Sequence, residues 1–384
     1  MSATGSDVVV VGGGIVGTAA AAFLAEGGAS VTLIERDGLA SGASGANSGV
    51  VQHPFDRILA ALYRETLDLY RDLSAADVGF RLGAEPAGLL YVSADETAIR
   101  HVDESWAEAF PGLDSVVASG AALRSIEPAV APGLCGCRVG IGYPVVPGAS
   151  TYAYATIGDR RGVQVRMGRS ATLSRRGDVV IGVVVDGEAV RADDVLVAAG
   201  PWSPALIDPT ASWRPIRERW GVVVEAELPT GPTHVLEEAE IGAAIGTRTE
   251  LPADDEADLV DFSLVPLDGI SAVGSTFLAR QPDPAAWVEP ILTRAGTFVP
   301  AVADAPIRGT RACARPQSLD GRPLIGRVPD APGLFICAGH GAWGISTGPA
   351  SARLIADEIL GRAARIPPEL DPARFGMIRS ARPR

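Results

Sequence analysis

The 384-residue sequence contains no lysine, so arginine supplies every permanently basic side chain. This absence excludes enzymes that form a Schiff base on lysine, such as pyridoxal-phosphate enzymes and class I aldolases. The formal net charge of −13 argues against nucleic-acid and anionic-membrane partners, because both bind basic surfaces. Hydrophobic residues make up 47 % of the chain, as in ordinary globular proteins. We therefore expect a folded protein whose partners are small molecules.

Cysteine is also scarce, with only Cys135, Cys137, Cys313 and Cys337. The first two are too few and too close together for a zinc site, so we predict no metal. A reducing cytoplasm is the default location for such a chain. Residues 8–25 approach the length of a transmembrane helix, but three consecutive glycines interrupt them. We therefore predict no membrane span.

The first 36 residues show the pattern strand, turn, helix, strand. Val8–Val11 is a run of valines typical of a buried parallel strand. Gly12, Gly14 and Gly17 then form G-x-G-x-x-G, which permits a tight turn, the approach of a pyrophosphate and close helix packing. Glu35 ends the second strand, where its carboxylate can accept a hydrogen bond from a ribose hydroxyl. The pattern predicts a dinucleotide site, and Glu35 disfavours NADP because it would repel a 2′-phosphate.

Residues 42–52, GASGANSGVVQ, are almost without side-chain bulk and include Asn47, the only asparagine of the chain. Their backbone amides and short hydroxyls could surround a diphosphate, a ribityl chain and one edge of a flavin. A flexible linker fits less well, because the stretch leads directly into Val50–Val51 and a predicted helix, Ile58–Leu73. The stretch favours FAD over NAD, since an NAD enzyme of this type usually continues into a third strand–helix unit.

Four stretches, spread over nearly the whole chain, are similar to the D-amino-acid-oxidase superfamily of FAD enzymes, which includes glycine oxidase, sarcosine oxidase and D-amino-acid dehydrogenases. They are VVVVGGGIVG…IER near the N-terminus, SGASGANSGVVQ, ADDVLVAAGPWSPAL at 192–206, and ARPQSLDGRPLIG…GLFICAGHGAWGISTGPASARLIADEIL at 314–360. Their number and order carry the resemblance.

The resemblance implies an α/β fold with a discontinuous, Rossmann-like FAD-binding domain of residues 1–80, 145–210 and 312–384. A second, α+β domain would bind substrate and comprise residues 81–144 and 211–311. Short alternating runs bounded by proline and glycine predict a mostly antiparallel sheet in this second domain. The acidic tract 252–258 is interpreted as a solvated loop. Other predicted helices are Thr97–Phe110, Ser150–Arg161, Ala285–Phe298 and 345–360; other predicted strands are Gly88–Ser93, Val163–Met167, Val195–Ala199, Val222–Glu227, Phe262–Val265 and Ser271–Gly274.

Members of this superfamily oxidise a C–N bond by hydride transfer to flavin N5, giving an imine that hydrolyses. The resemblance therefore implies an amino-acid or secondary-amine substrate, with O2 or another compound as electron acceptor. Two alternatives remain open: an FAD-dependent 2-hydroxy-acid dehydrogenase or oxidase, suggested by NSGVVQ, and a flavin-binding subunit of a hetero-oligomeric dehydrogenase. Some relatives activate oxygen with a lysine, so its absence slightly favours a dehydrogenase. The oligomeric state stays open.

The resemblance also implies substrate-binding residues. Arg315 stands where glycine-oxidase-like members place the arginine that binds the substrate carboxylate, and a guanidinium suits this role because it donates two parallel hydrogen bonds. Arg311, four residues earlier on a strand, is a second candidate or else forms a surface salt bridge. Trp343 replaces a second arginine of such members, which predicts an apolar pocket wall or core packing. Ser263 stands near the position of a pocket tyrosine.

Three further residues are candidates close to the flavin. Cys313 occupies the place at which sarcosine-oxidase-like members attach FAD covalently, although we expect non-covalent binding. Gln52 and His53 end the small-residue stretch, and His53 is either a base or a structural residue. The complete set predicted to bind FAD is Gly12, Gly14, Ile15, Val16, Gly17, Glu35, Arg36, Ser44, Gly45, Ala46, Asn47, Ser48, Gly49, Val51, Gln52, Ala171, Ala199, Gly200, Trp202, Cys313, Arg315, Gly341, Ala342, Trp343, Gly344, Ile345 and Ser346.

Overall fold

The computed structural model describes residues 5–239, 259–363 and 365–376, so the predicted acidic loop at 252–258 lies outside it. The strands are, in chain order, β1 Gly5–Val11, β2 Val31–Ile34, β3 Val50–Val51, β4 Leu89–Ser93, β5 Ser115–Ser119, β6 Cys135–Val139, β7 Tyr143–Pro144, β8 Gln164–Arg166, β9 Ala171–Arg176, β10 Val179–Val185, β11 Glu188–Val197, β12 Ile216–Glu227, β13 Val235–Glu238, β14 Leu259–Leu267, β15 Ile270–Phe277, β16 Ile307–Ser318, β17 Leu324–Arg327 and β18 Leu334–Ala338.

The α-helices are α1 Ile15–Glu26, α2 Ala43–Ala46, α3 Arg57–Ala75, α4 Glu96–Ala109, α5 Gly120–Ile126, α6 Ala149–Arg160, α7 Ser203–Ile207, α8 Val288–Gly296 and α9 Gly344–Ile359. Short 3-10 helices occupy Gly200–Trp202, Pro284–Trp287, Pro300–Val302, Gly341–Trp343, Pro368–Leu370 and Pro372–Phe375. The predicted elements are therefore present, but β11 and β12 begin seven and six residues earlier than predicted, and the first turn of the predicted helix Ala285–Phe298 is a 3-10 helix. Three α-helices were not predicted: α2, which lies within the small-residue stretch, α5 and α7.

The first sheet has the order β17-β18-β11-β1-β2-β8, with β10 and β9 extending from β11 as an antiparallel ribbon. Strand β1 pairs in parallel with both β2 and β11, and β11 pairs in parallel with β18. Val8, Val9 and Val10 are almost fully buried, as expected for a central parallel strand that is covered on both faces. This Rossmann-like sheet confirms the predicted fold class.

A helical layer covers one face of this sheet: α1 packs against α6 and α9, and α9 packs against α3. Gly17 allows α1 to lie close to β1, since a Cβ atom there would come well inside 3.0 Å of the Gly12 carbonyl oxygen. Helix α3 begins at an aspartate cap, Asp56, whose side chain accepts hydrogen bonds from the amides of Ile58 and Leu59. The close approach of α1 to β1 at Gly17 positions the glycine-rich turn between them.

The second sheet has the order β16-β12-β15-β14-β13-β4-β6-β5. Every neighbouring pair is antiparallel except β13 with β4, so the prediction of a mostly antiparallel sheet is confirmed. Helix α8 packs on this sheet, and Phe262 stacks on Phe298 with ring centroids 4.7 Å apart. The predicted domain limit between residues 311 and 312 falls inside strand β16, and the domain boundaries stay a prediction.

Candidate active site

A cavity of about 390 Å³ lies where the carboxyl edge of the first sheet meets one face of the second. Val11, Ile34, Ala198 and Ala338, at the ends of the parallel strands β1, β2, β11 and β18, line one side. The opposite wall comes from the second sheet: Gly221, Val223, Glu237, Ser263, Ser275, Phe277, Cys313 and Arg315. The carboxyl edge of a parallel sheet is the usual ligand position in open α/β folds.

The dinucleotide end of the cavity is built from the turn after β1. Gly12 has φ +119°, and a Cβ atom there would meet the Ala198 carbonyl group. The carboxylate of Glu35 accepts hydrogen bonds from the amides of Gly13 at 2.6 Å and Asp37 at 2.8 Å. The Ser44 hydroxyl accepts from the amide of Ile15 at 3.0 Å. The turn, the acidic residue and the small-residue stretch are therefore joined by direct hydrogen bonds.

Asn47 organises the small-residue stretch. Its side-chain amide donates to the carbonyls of Ala43 and Ser44 at 3.0 and 2.8 Å, and its Oδ1 accepts from the amide of Gly49 at 2.8 Å. These bonds close one short helical turn, which explains why α2 replaces the expected irregular loop. Arg311 then donates two hydrogen bonds to the Asn47 carbonyl at 3.2 and 3.0 Å.

Most of the predicted residues meet at the cavity. Those that line it are Gly12, Gly14, Ile15, Val16, Glu35, Arg36, Ser44, Ala46, Asn47, Ser48, Gln52, Ala171, Ala199, Gly200, Trp202, Cys313, Arg315, Gly341, Ala342, Trp343, Gly344 and Ile345. Their contact with FAD stays a prediction. The predicted residues outside the lining are Gly17, Gly45, Gly49, Val51, Ser346, Arg311 and His53.

The small residues outside the lining have structural causes. A Cβ atom at Gly45 would overlap the Ala40 carbonyl oxygen, and one at Gly49, where φ is +85°, would overlap that of Val145. The emptiness of the stretch is therefore partly a requirement of backbone packing and not wholly of a ligand. Val51 is fully buried in the β3–β7 ribbon. Gly17 serves helix packing, as described above.

Two catalytic candidates also lie outside the lining. The His53 ring is buried, contacts Tyr63, Trp106 and Phe110 edge-on, and its Nδ1 lies 2.7 Å from the Pro54 carbonyl oxygen. Burial lowers the pKa of His53, which suits a neutral core residue. Arg311 forms an ion pair with Glu225 on the neighbouring strand. Because both side chains are engaged elsewhere, their contacts favour the structural role for His53 and the salt bridge for Arg311 over the roles of base and second carboxylate clamp.

Ser346 acts through Gln52. Its hydroxyl accepts a hydrogen bond from the Gln52 amide at 2.9 Å, and the serine is almost fully buried at the start of α9. The Gln52 side chain lines the cavity and donates to the carboxylate of Glu237 at 3.3 Å. By accepting this hydrogen bond, Ser346 holds the backbone of Gln52, whose side chain faces the cavity.

The features of the first-sheet wall fit FAD. Helices α1 and α9 both begin in the cavity lining without a cap from their own N-cap residue, so the positive end of each helix dipole lies at the cavity, although Ser44 already binds the Ile15 amide. His340 is buried in the lining, and its Nε2 has no hydrogen-bond partner within the described chain. Burial lowers the pKa of His340 to about 4, so the ring is neutral near pH 7. The positive ends of two helices and an unpaired ring nitrogen are features that a diphosphate and a flavin could satisfy.

Arg315 is fixed at the second-sheet wall. Its guanidinium donates to the Thr276 carbonyl at 2.8 Å and to the Ser275 hydroxyl at 2.7 Å, and lies 4.6 Å from the Phe277 ring centroid. It also crosses Gly221, where any Cβ atom would displace it. No carboxylate of the described residues lies within ion-pair distance. A buried cation without an anionic partner is costly, so this wall favours an anionic ligand.

Glu237 on β13 is the residue that sequence reasoning missed. Its side chain lines the cavity, only 6 % of the residue is exposed, and burial raises the pKa of its carboxyl to about 7. Its neighbour Glu238 points elsewhere, towards Arg294. The sequence did contain a signal for a buried carboxyl group here. Two consecutive glutamates follow the apolar residues Val235 and Leu236 within one short strand, so each glutamate shares a face of the strand with an apolar residue.

Within the ranges described, no helix has the length and apolar character needed to cross a membrane. No group of three or more histidine, cysteine, aspartate or glutamate side chains in those ranges could hold a metal ion.

A family model described as "DAO: FAD dependent oxidoreductase" matches residues 7–358. Glycine oxidase of Pseudomonas aeruginosa is 28 % identical over 391 residues, covering 96 % of this chain and 97 % of that protein. The structure of glycine oxidase from Bacillus cereus matches with a TM-score of 0.77 at 25 % identity over 94 % of this chain and 99 % of that one. Iminodiacetate oxidase from Chelativorans has the same fold, with a TM-score of 0.78 at 22 % identity over 95 % and 98 % of the two chains.

Proposed function

The chain belongs to the DAO family of FAD-dependent oxidoreductases, and from that premise we propose that it oxidises the C–N bond of an amino acid or secondary amine. Glycine oxidase is a relative over nearly its whole length. The observation that carries the proposal is the buried Arg315 guanidinium, which faces the cavity with no carboxylate partner among the described residues. A substrate carboxylate would supply the missing anion.

FAD, when bound, would supply the redox chemistry as the acceptor of a hydride from the substrate. The protein's part is orientation. Arg315 would hold the substrate carboxylate, Phe277 and Trp343 would form an apolar wall, and the start of α9 would stabilise negative charge on the reduced flavin. The resulting imine is hydrolysed by water.

The finer parts of the proposal concern the acceptor and the cell compartment. We propose O2 or another small acceptor, and leave the oligomeric state open. All four cysteines are free thiols, which supports a cytoplasmic location because disulfides are rare in that compartment.

The experiment is anaerobic mixing of the FAD-loaded protein with amino acids, N-methylated amines and 2-hydroxy acids. We expect amines or amino acids to bleach the yellow flavin absorbance. Bleaching by hydroxy acids alone would replace the proposal with the hydroxy-acid reaction. A yellow protein that is reduced only after a second protein is added would identify it as a subunit of a larger dehydrogenase.

FAD is expected to be released when the protein is precipitated with acid. Cys313 lines the cavity, but burial raises the pKa of its thiol, so little of the thiolate needed for covalent attachment is present near pH 7. After acid precipitation and centrifugation, the flavin should be in the supernatant. A yellow pellet from the wild type and a colourless one from Cys313→Ser would show that the thioether forms.

A further inference from the structure

The carboxyl group of Glu237 faces the cavity, and few neighbouring groups stabilise its negative charge. Gln52 Nε2, at 3.3 Å, is its single hydrogen-bond partner in the part of the chain that the structure describes, and no arginine or histidine there pairs with it. Gln52 is itself held by Ser346 through its backbone amide. A buried carboxyl group with one neutral partner is poorly stabilised as an anion, so it has capacity for a cation or a proton.

The strand register places Glu237 on the same wall as Arg315. Glu237 pairs with Ser263 on β14, and Ser263 pairs with Gly274 on β15. The Arg315 guanidinium binds the next residue of β15, Ser275. The backbone that carries Glu237 and the backbone bound by the Arg315 guanidinium are thus two strand spacings apart, about 10 Å. A small amino acid with a hydrogen bond of about 2.8 Å at each end spans a similar distance.

We propose that Glu237 recognises the cationic nitrogen of the substrate and accepts a proton from it, while Arg315 holds the carboxylate. In this step one N–H bond of the ammonium group breaks and one O–H bond forms on Glu237. The product is a neutral amine whose nitrogen electron pair is free, the form from which a hydride can leave the adjacent carbon. The inference rests on the proposed function and restricts its substrates to amines that also carry an acid group.

A 2-hydroxy acid offers no cation, so Glu237 would face its hydroxyl group without a charge partner. Trp343 stands where glycine-oxidase-like members have a second arginine. Among the described residues, Arg315 is therefore the one arginine on the second-sheet wall of the cavity. One buried cation and one buried carboxyl therefore match a zwitterion better than a dicarboxylate.

The test compares Glu237→Gln, which keeps the shape but not the charge, with Glu237→Asp, which keeps the carboxyl group. Glu227→Gln is the matched control, because Glu227 lies on β12 of the same sheet but outside the cavity lining. Binding to the FAD-loaded proteins is followed through the flavin spectrum at pH 8.5, with acetate as the anion-only probe and glycine betaine as the probe that adds a fixed cation. The thermal midpoint of each variant shows whether it is folded.

We expect Glu237→Gln to weaken the binding of betaine at least tenfold more than it weakens the binding of acetate. It should also slow flavin reduction by the best amine substrate about a hundredfold, which is within the range for loss of a proton-accepting group. Glu237→Asp should recover part of both, and Glu227→Gln should match the wild type. The inference is overturned if the ratio of betaine affinity to acetate affinity is no lower in Glu237→Gln than in the wild type and the rate of flavin reduction is unchanged. If no amine reduces the wild type, the proposed function fails, whereas the binding ratio still reports on Glu237.

Discussion

Arg315→Ala is expected to raise KM for the amine substrate and Kd for acetate by about 10²- to 10³-fold, with FAD still bound. Removal of one partner from a buried, hydrogen-bonded charge pair costs about 2–5 kcal/mol, and no carboxylate among the described residues forms an ion pair with the Arg315 guanidinium. Substrate kinetics and titration of the flavin spectrum with acetate would measure both constants. Arg315→Lys should recover little, because a point charge does not reproduce the two parallel hydrogen bonds of a guanidinium.

Two further variants make this result specific. Arg308→Ala is the control, because Arg308 lies on the same strand with 58 % of its side chain exposed, and we expect less than a twofold change. Gly221→Ala should weaken acetate binding without losing FAD, since the added methyl group displaces the guanidinium. Wild-type affinity for acetate in Arg315→Ala would remove Arg315 from the substrate site and leave the proposed function without its anion-binding residue.

Gly17→Ala is expected to cost at least about 3 kcal/mol of folding free energy, at the upper end of the overpacking range, and to weaken FAD binding strongly. The Cβ atom would overlap the carbonyl oxygen of Gly12, a backbone atom that cannot turn away as a side chain can. Relief requires α1 to move off β1, and that movement distorts the turn expected to bind the diphosphate. Thermal unfolding and fluorometric titration with FAD would measure the two effects.

Gly38→Ala is the matched control for Gly17→Ala. An added Cβ atom at Gly38 meets no heavy atom within 4 Å, and its backbone is outside the left-handed region. We expect wild-type unfolding and FAD affinity. If Gly17→Ala behaves in the same way, helix α1 tolerates displacement and the packing argument for the third glycine of the motif is wrong.

The nucleotide-binding half could be predicted from sequence because its determinants are local. The valine run, the glycine turn and Glu35 lie within 36 residues, and their order allows only one way to pack a helix across two parallel strands. The same reasoning attributed the small size of Gly45 and Gly49 to a ligand, whereas a Cβ atom at either position would overlap a backbone oxygen, of Ala40 or Val145. A run of small residues shows that other atoms lie close to that backbone, but it does not show whether those atoms belong to a ligand or to the protein.

The charged groups at the cavity were harder to predict. Arg311 and Arg315 share a strand and a face, yet Arg311 is taken up by Glu225 and the Asn47 carbonyl while Arg315 faces the cavity. His53 follows directly after Gln52, yet its ring is enclosed by aromatic side chains. In each case the side chain's environment depends on segments far away in sequence.

By itself, the sequence indicated the fold class and an FAD site through glycine spacing and strand periodicity, and its resemblance to the family implied C–N oxidation, because each of these signals lies within a few tens of residues. Only the tertiary structure decided which charges meet at the cavity. Glu237 and Arg315 are 78 positions apart, and they share a wall because antiparallel pairing fixes the register of the strands between them. That register is set by cross-strand packing over the whole sheet, which no short stretch of the sequence encodes.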